Sequence, residues 1–130
     1  MTVHDHIKNA LDELGNTEKE VYRTIKKMNM LGNPDSFKSC PVALYLKNRL
    51  YKEKSISENI IVNLYVVGSS QVFVDDDTVE GLRVDIPKPV SKFINSFDDG
   101  KYPELQHDSS NYQRILQSLK DDPDHFVSID

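Results

Sequence analysis

The first apolar residues of the chain, Val3, Ile7, Ala10, Leu11 and Leu14, recur at steps of four, three, one and three. Those steps keep them on one side of a 3.6-residue turn, so the pattern predicts an amphipathic helix over 3–14, closed by Gly15-Asn16. Thr17 with Glu20 three positions on has the form of a capping box, and Val21, Ile25 and Met28 follow on one face. A second helix is therefore predicted to run to about residue 31, where Gly32-Asn33-Pro34 stops it. Ser39 is the expected cap of a third helix, with Pro41 in a first turn where a missing N–H does no harm. Val42, Ala43, Leu46 and Leu50 form its stripe, with Tyr45 beside it, fading near residue 54.

The period then drops to two. Ile60, Val62, Leu64 and Val66 alternate with Ile61, Asn63, Tyr65 and Val67, which predicts a strand over 60–67 buried on both faces. Gly68-Ser69-Ser70 reads as a turn, 71–74 as a second strand, 75–81 as a polar turn and 82–86 as a third strand, an antiparallel meander. Pro87 and Pro89 end the sheet. Val90, Phe93, Ile94 and Phe97 give a helical stripe closed by Asp98-Asp99-Gly100. Tyr102-Pro103-Glu104-Leu105 reads as an extended lock, Tyr112, Ile115, Leu116 and Leu119 as a last helix ending before Pro123, and 126–129 as an edge strand.

These elements imply an α+β fold in a single domain over 1–130: a helical front at 1–54, an antiparallel sheet at 59–86, helices over 88–122 and a tail at 123–130. Composition agrees with a packed core, since 38% of the residues are hydrophobic and 28% charged. No stretch has the length of apolar sequence that spans a bilayer, and Met1-Thr2-Val3-His4-Asp5-His6 lacks the basic and then apolar order of a signal peptide. A single cysteine, Cys40, rules out an internal disulfide framework. Targeting and redox chemistry together point to the cytoplasm and away from membranes.

The net charge of −5 is unevenly spread. Residues 1–54 carry ten Lys and Arg against seven Asp and Glu, residues 55–97 three against six, and residues 98–130 three against eight. A weakly basic front is thus followed by an acidic remainder, which bears on partners more than the total does.

The segment Cys40-Pro41-Val42-Ala43-Leu44-Tyr45-Leu46, together with Phe97-Asp98-Asp99-Gly100-Lys101-Tyr102-Pro103-Glu104-Leu105 after the strands, resembles a pattern in small bacterial proteins of actinobacterial type. The likeness covers about residues 38–105. It implies a shared fold and brings no activity with it.

Candidate chemistry is sparse. Cys40 stands at a predicted helix start, where free amides and the helix dipole favour a thiolate, so a thiol enzyme or redox sensor is one alternative. Its base would have to be His4, His6, His107 or His125, none of which lies in a local motif with it. Asp75-Asp76-Asp77-Thr78-Val79-Glu80-Gly81 is rich in carboxylates, but a calcium loop counted from Asp75 needs glycine and glutamate where Glu80 and Ile86 stand. His4 and His6, two apart on a helix, point in different directions, so no metal and no cofactor is expected. Lys19, Arg23, Lys26 and Lys27 make a positive stripe opposite Val21, Ile25 and Met28, which makes a nucleic-acid-associated protein the other alternative. No aromatic stacking platform is interleaved with that stripe, and the chain as a whole is acidic.

With no catalytic signature, the leading expectation is a non-enzymatic, acidic protein-binding module. It would be an inhibitor or phosphate-mimicking regulator of a basic partner, of phage or mobile-element type. Asp75, Asp76, Asp77 and Glu80, with Asp98 and Asp99, would form its row of carboxylates.

Overall fold

The computed structural model describes residues 2–34, 36–106 and 112–121, with backbone alone for 112–115. The fold is α+β, with helices before and after a three-stranded antiparallel sheet. The predicted tail strand at 126–129 lies outside the described residues.

Helix α1 (Val3–Glu13) opens on a reciprocal cap, in which Thr2 Oγ1 accepts from the Asp5 amide and the Asp5 carboxylate accepts from the Thr2 amide. Its predicted stripe is the buried face, with Ile7, Ala10, Leu11 and Leu14 enclosed. Helix α2 (Glu18–Lys27) starts where Thr17 caps the Glu20 amide, but it ends a turn earlier than the glycine and proline suggest. Asn29 adopts the left-handed conformation (φ 55°), the Asn29 amide donates to the Lys26 carbonyl, and the Met30 amide donates to the Ile25 carbonyl. This is a Schellman closure built on asparagine, sealed by the buried pair Ile25 and Met30. Gly32 has a different task. A Cβ there would lie 2.3 Å from the Ser39 carbonyl oxygen and 2.7 Å from the Pro41 nitrogen, so only glycine lets the chain before α3 pack against this strand of backbone.

Helix α3 (Pro41–Lys52) is the centre of the molecule and touches α1, α2, α6 and the sheet. Its cap is Cys40 rather than Ser39: Cys40 Sγ accepts from the Ala43 amide at 3.4 Å. The Ser39 hydroxyl is engaged elsewhere, with Ser36 Oγ at 2.8 Å and Asn33 Nδ2 at 3.1 Å, in a knot that shapes the loop before the helix.

The predicted strand over 60–67 is half helix. Helix α4 (Glu58–Val62) takes Ile60 and Ile61 into the core, and Asn63 closes it by donating both its backbone amide and Nδ2 to the Asn59 carbonyl. Four alternating β-branched and leucine positions look alike in both periods when the run is this short. The sheet begins at β1 (Leu64–Val67), which pairs with β2 (Gln71–Val74), which pairs with β3 (Arg83–Asp85). Leu64, Val66, Val72, Val74 and Val84 face the core, where α1 lies near β3 and α3 near β1. Tyr65, Val67, Gln71, Phe73, Arg83 and Asp85 face outward.

Helix α5 (Lys88–Asp98) buries Val90, Phe93, Ile94 and Phe97 as the pattern predicts. The Tyr102–Leu105 segment is a single 3-10 turn at Pro103–Leu105 rather than extended chain. It still acts as a tie, because the Gly32 amide donates to the Leu105 carbonyl at 2.9 Å. Helix α6 (Tyr112–Asp121) buries Leu119, and its Lys120 pairs with Glu58 at 2.8 Å. The buried side chains form one continuous cluster. No described helix is long and apolar enough to cross a membrane.

Candidate functional site

The acidic residues singled out by sequence fall into two groups. The β2–β3 connection holds Asp75, Asp76, Asp77 and Glu80 around a turn of 3-10 helix (Asp77–Val79). The Asp76 carboxylate caps that turn, accepting from the Thr78 amide at 2.9 Å and from the Thr78 hydroxyl, and these bonds hold its pKa below the usual carboxylate range. Asp75, Asp77 and Glu80 are left exposed around a connection that Asp76 has stiffened. Asp98 and Asp99 end α5 instead, and Asp98 lines a cleft with Gly68 in the β1–β2 turn, at the other end of β2. A four-residue strand is roughly 13 Å long, so the six carboxylates do not make one row.

That cleft, of about 180 Å³, is lined by Ser36, Phe37, Cys40, Val66, Gly68, Ile94 and Asp98. Cys40 reaches it as a buried thiol whose pKa is pushed up to about 11, first by burial and then, in part, by the nearby Asp98 charge. The helix start does not produce the thiolate that its position suggests, because desolvation outweighs the amide it accepts from. None of the histidines lines this cleft among the described residues; His4 and His6 sit on α1, and His107 and His125 fall outside the described residues.

One residue the pattern reading overlooked is Lys47. It is 0% exposed in the middle of α3, its Nζ donates to the Lys38 carbonyl at 3.0 Å, and burial draws its pKa down to about 8. The signal was present in the spacing, since Lys47 is four residues after Ala43 and three before Leu50, on the apolar side. Its bond holds the loop that carries Phe37.

Lys19, Arg23, Lys26 and Lys27 are all exposed on α2. Tyr22 lies among them in sequence, and Lys26 Nζ is 3.2 Å from its hydroxyl and over its ring. Tyr22 is committed to the fold, however. It stacks on Tyr102 at 4.7 Å, which stacks on Phe93 at 5.3 Å, and its hydroxyl donates to Glu104 at 2.6 Å. The Tyr102 hydroxyl donates to Glu18, and burial with that carboxylate raises it to about 12. These bonds fasten α2 to α5 and the turn after it.

The second group missed by sequence is the outward face of the sheet. Tyr65 stands opposite Phe73, and Phe73 opposite Arg83. Phe37 joins from the loop before α3, because its carbonyl accepts the Val66 amide at 2.8 Å and its ring meets Tyr65 edge-on at 5.4 Å. The Arg83 guanidinium lies over the Phe73 ring at 4.6 Å and Lys38 over Phe37 at 5.9 Å. Three rings therefore run across the strands, with Phe37 54% and the neighbouring Val67 45% exposed. Side chains 28 positions apart cannot be put in one row by periodicity.

Among the described residues, no three His, Cys, Asp or Glu side chains are grouped to hold a metal ion. No protein-family model, curated protein or solved structure matches this chain.

Proposed function

We propose that the chain is a non-enzymatic, acidic protein-binding module of the cytoplasm that occupies the basic surface of a partner, as an inhibitor or regulator imitating phosphate. The observation that carries this reading is the β2–β3 connection, where Asp76 is turned into the backbone and Asp75, Asp77 and Glu80 are held outward. A stiffened turn loses little freedom when a partner engages it, and carboxylates in water steer a basic surface toward it. Asp98 and Asp99, at the far end of the sheet, are a separate group and drop out of this contact. A fold shared with the small bacterial proteins that residues 38–105 resemble belongs to the same proposal, as does a phage or mobile-element setting.

The test is capture of partners from host lysate by the tagged protein and by Asp75→Asn/Asp77→Asn/Glu80→Gln, at two salt concentrations. The proposal expects a stoichiometric protein with a basic surface that the triple variant fails to hold and that high salt weakens. Equal capture by both forms would overturn it.

A further inference from the structure

Resting on that reading, we propose that the partner docks on the outward face of the sheet and that this face selects arginine. The rings of Phe37, Tyr65 and Phe73 stack the guanidinium groups of an extended, arginine-bearing segment of the partner. Asp75 and Asp85, on either flank of the row, accept their N–H donors.

The molecule already displays this mode once. Arg83 lies over Phe73 at 4.6 Å, so the face accommodates a planar cation, and Lys38 lies more loosely over Phe37 at 5.9 Å; both side chains are exposed, and the partner's guanidinium groups take their places on the rings. Phe37 and Val67 are the large hydrophobic residues left exposed among the described residues, and both border this face. Asp85 is exposed beside the row and accepts from Gln71 Nε2 at 3.0 Å; Asp75, just past Phe73, is exposed as well.

Charge decides which ligand suits the rings. An aromatic row on a sheet also serves single-stranded nucleic acid where cations track the phosphates. Here Lys38 and Arg83 stand against Asp75, Asp77, Glu80 and Asp85 on the face and its adjoining turn, in a chain of net charge −5. Phosphates would be repelled where guanidinium groups are attracted. Ring stacking also separates arginine from lysine, whose compact, strongly hydrated ammonium gains less from an aromatic face. A turn acting only as a phosphate mimic would not distinguish the two.

The experiment titrates the full chain at low salt with three fluorescent probes: a short peptide alternating arginine and glycine, its lysine counterpart of equal charge, and oligothymidylate. The arginine peptide is expected to bind about fivefold more tightly than the lysine peptide. Phe37→Ala, at an exposed position, should narrow that gap, and Phe37→Ala/Phe73→Leu should close it. Equal affinity for both peptides, lost in Asp75→Asn/Asp77→Asn/Glu80→Gln, would overturn the arginine face and leave the protein-binding reading standing. An arginine preference indifferent to Phe37 and Phe73 would also overturn it. Tighter binding of oligothymidylate than of either peptide, or binding of none of the three, would overturn both.

Discussion

At α3 a lysine and a thiol are enclosed and hydrogen-bonded, whereas on the outward face of the sheet Phe37 is exposed and Tyr65 and Phe73 are only half-buried. Lys47 has no exposed surface and directs its ammonium to the Lys38 carbonyl; Cys40 is buried and caps the helix. Phe37, on the loop that Lys47 ties down, is 54% exposed. Burying a lysine opposes folding unless its charge is satisfied, and exposing a phenylalanine forgoes stabilisation. The same short loop joins the two departures. The interior one is explained by architecture, since it fixes residues 36–39 against α3; the outer one is the surface that the proposed partner would cover.

The largest effect expected from breaking the interior is at Gly32. Gly32→Ala sets a methyl group against the Ser39 carbonyl and the backbone of residues 40 and 41, and chemical denaturation should show a loss of about 3 kcal/mol or more. Lys47→Ala should cost about 2–4 kcal/mol, through a cavity in α3 and an orphaned Lys38 carbonyl. Lys47→Met keeps the volume and removes the buried charge, so at neutral pH its stability should stay within about 1 kcal/mol of the parent. A loss as large as that of Lys47→Ala would show that the bond to Lys38 dominates.

The pH dependence sharpens the interior side of the comparison. Lys47 sits near 8 against an ordinary 10.5, so its charge opposes folding below pH 8 and that opposition is relieved between pH 8 and 10.5. Cys40 sits near 11 against 9.0, so the folded chain keeps a proton that the unfolded chain releases, and stability is lost between pH 9 and 11. Their sum should rise from pH 8 to 9, level off, and fall toward pH 11. Lys47→Met should abolish the rise and Cys40→Ser the fall, measured as denaturation midpoints across that range. Identical profiles for parent and variants would contradict the assignment.

The smallest effect belongs to the outer face. Phe37→Ala should leave the thermal midpoint within about 2 °C of the parent, because a half-exposed ring on a loop contributes little to the core. A large drop would make Phe37 a structural residue and remove the contrast.

The helical stripes of α1, α3 and α5 and the order of helices and strands are legible in the sequence because each follows from local periodicity. The end of α2 is not, because Gly32-Asn33-Pro34 looks like the stronger stop while left-handed Asn29 lets its own amide and that of Met30 close the helix. The start of β1 is obscured because Ile60 and Ile61 satisfy a strand pattern and a helical turn equally. The acidic turn is visible as a run of residues, yet its separation from Asp98 depends on which end of β2 each group meets. The aromatic row depends on a loop crossing onto β1, which no pattern along the chain encodes.

The most direct test of the central claim, that partner recognition lies on the acidic sheet end and not around Cys40 or on α2, is to map amide and ring NMR shifts during titration with the arginine peptide. The account predicts changes confined to Phe37, Tyr65, Val67, Phe73, Arg83, Asp85 and the turn from Asp75 to Glu80. Changes centred instead on Cys40 and Asp98, or on Lys19, Arg23, Lys26 and Lys27, would contradict it.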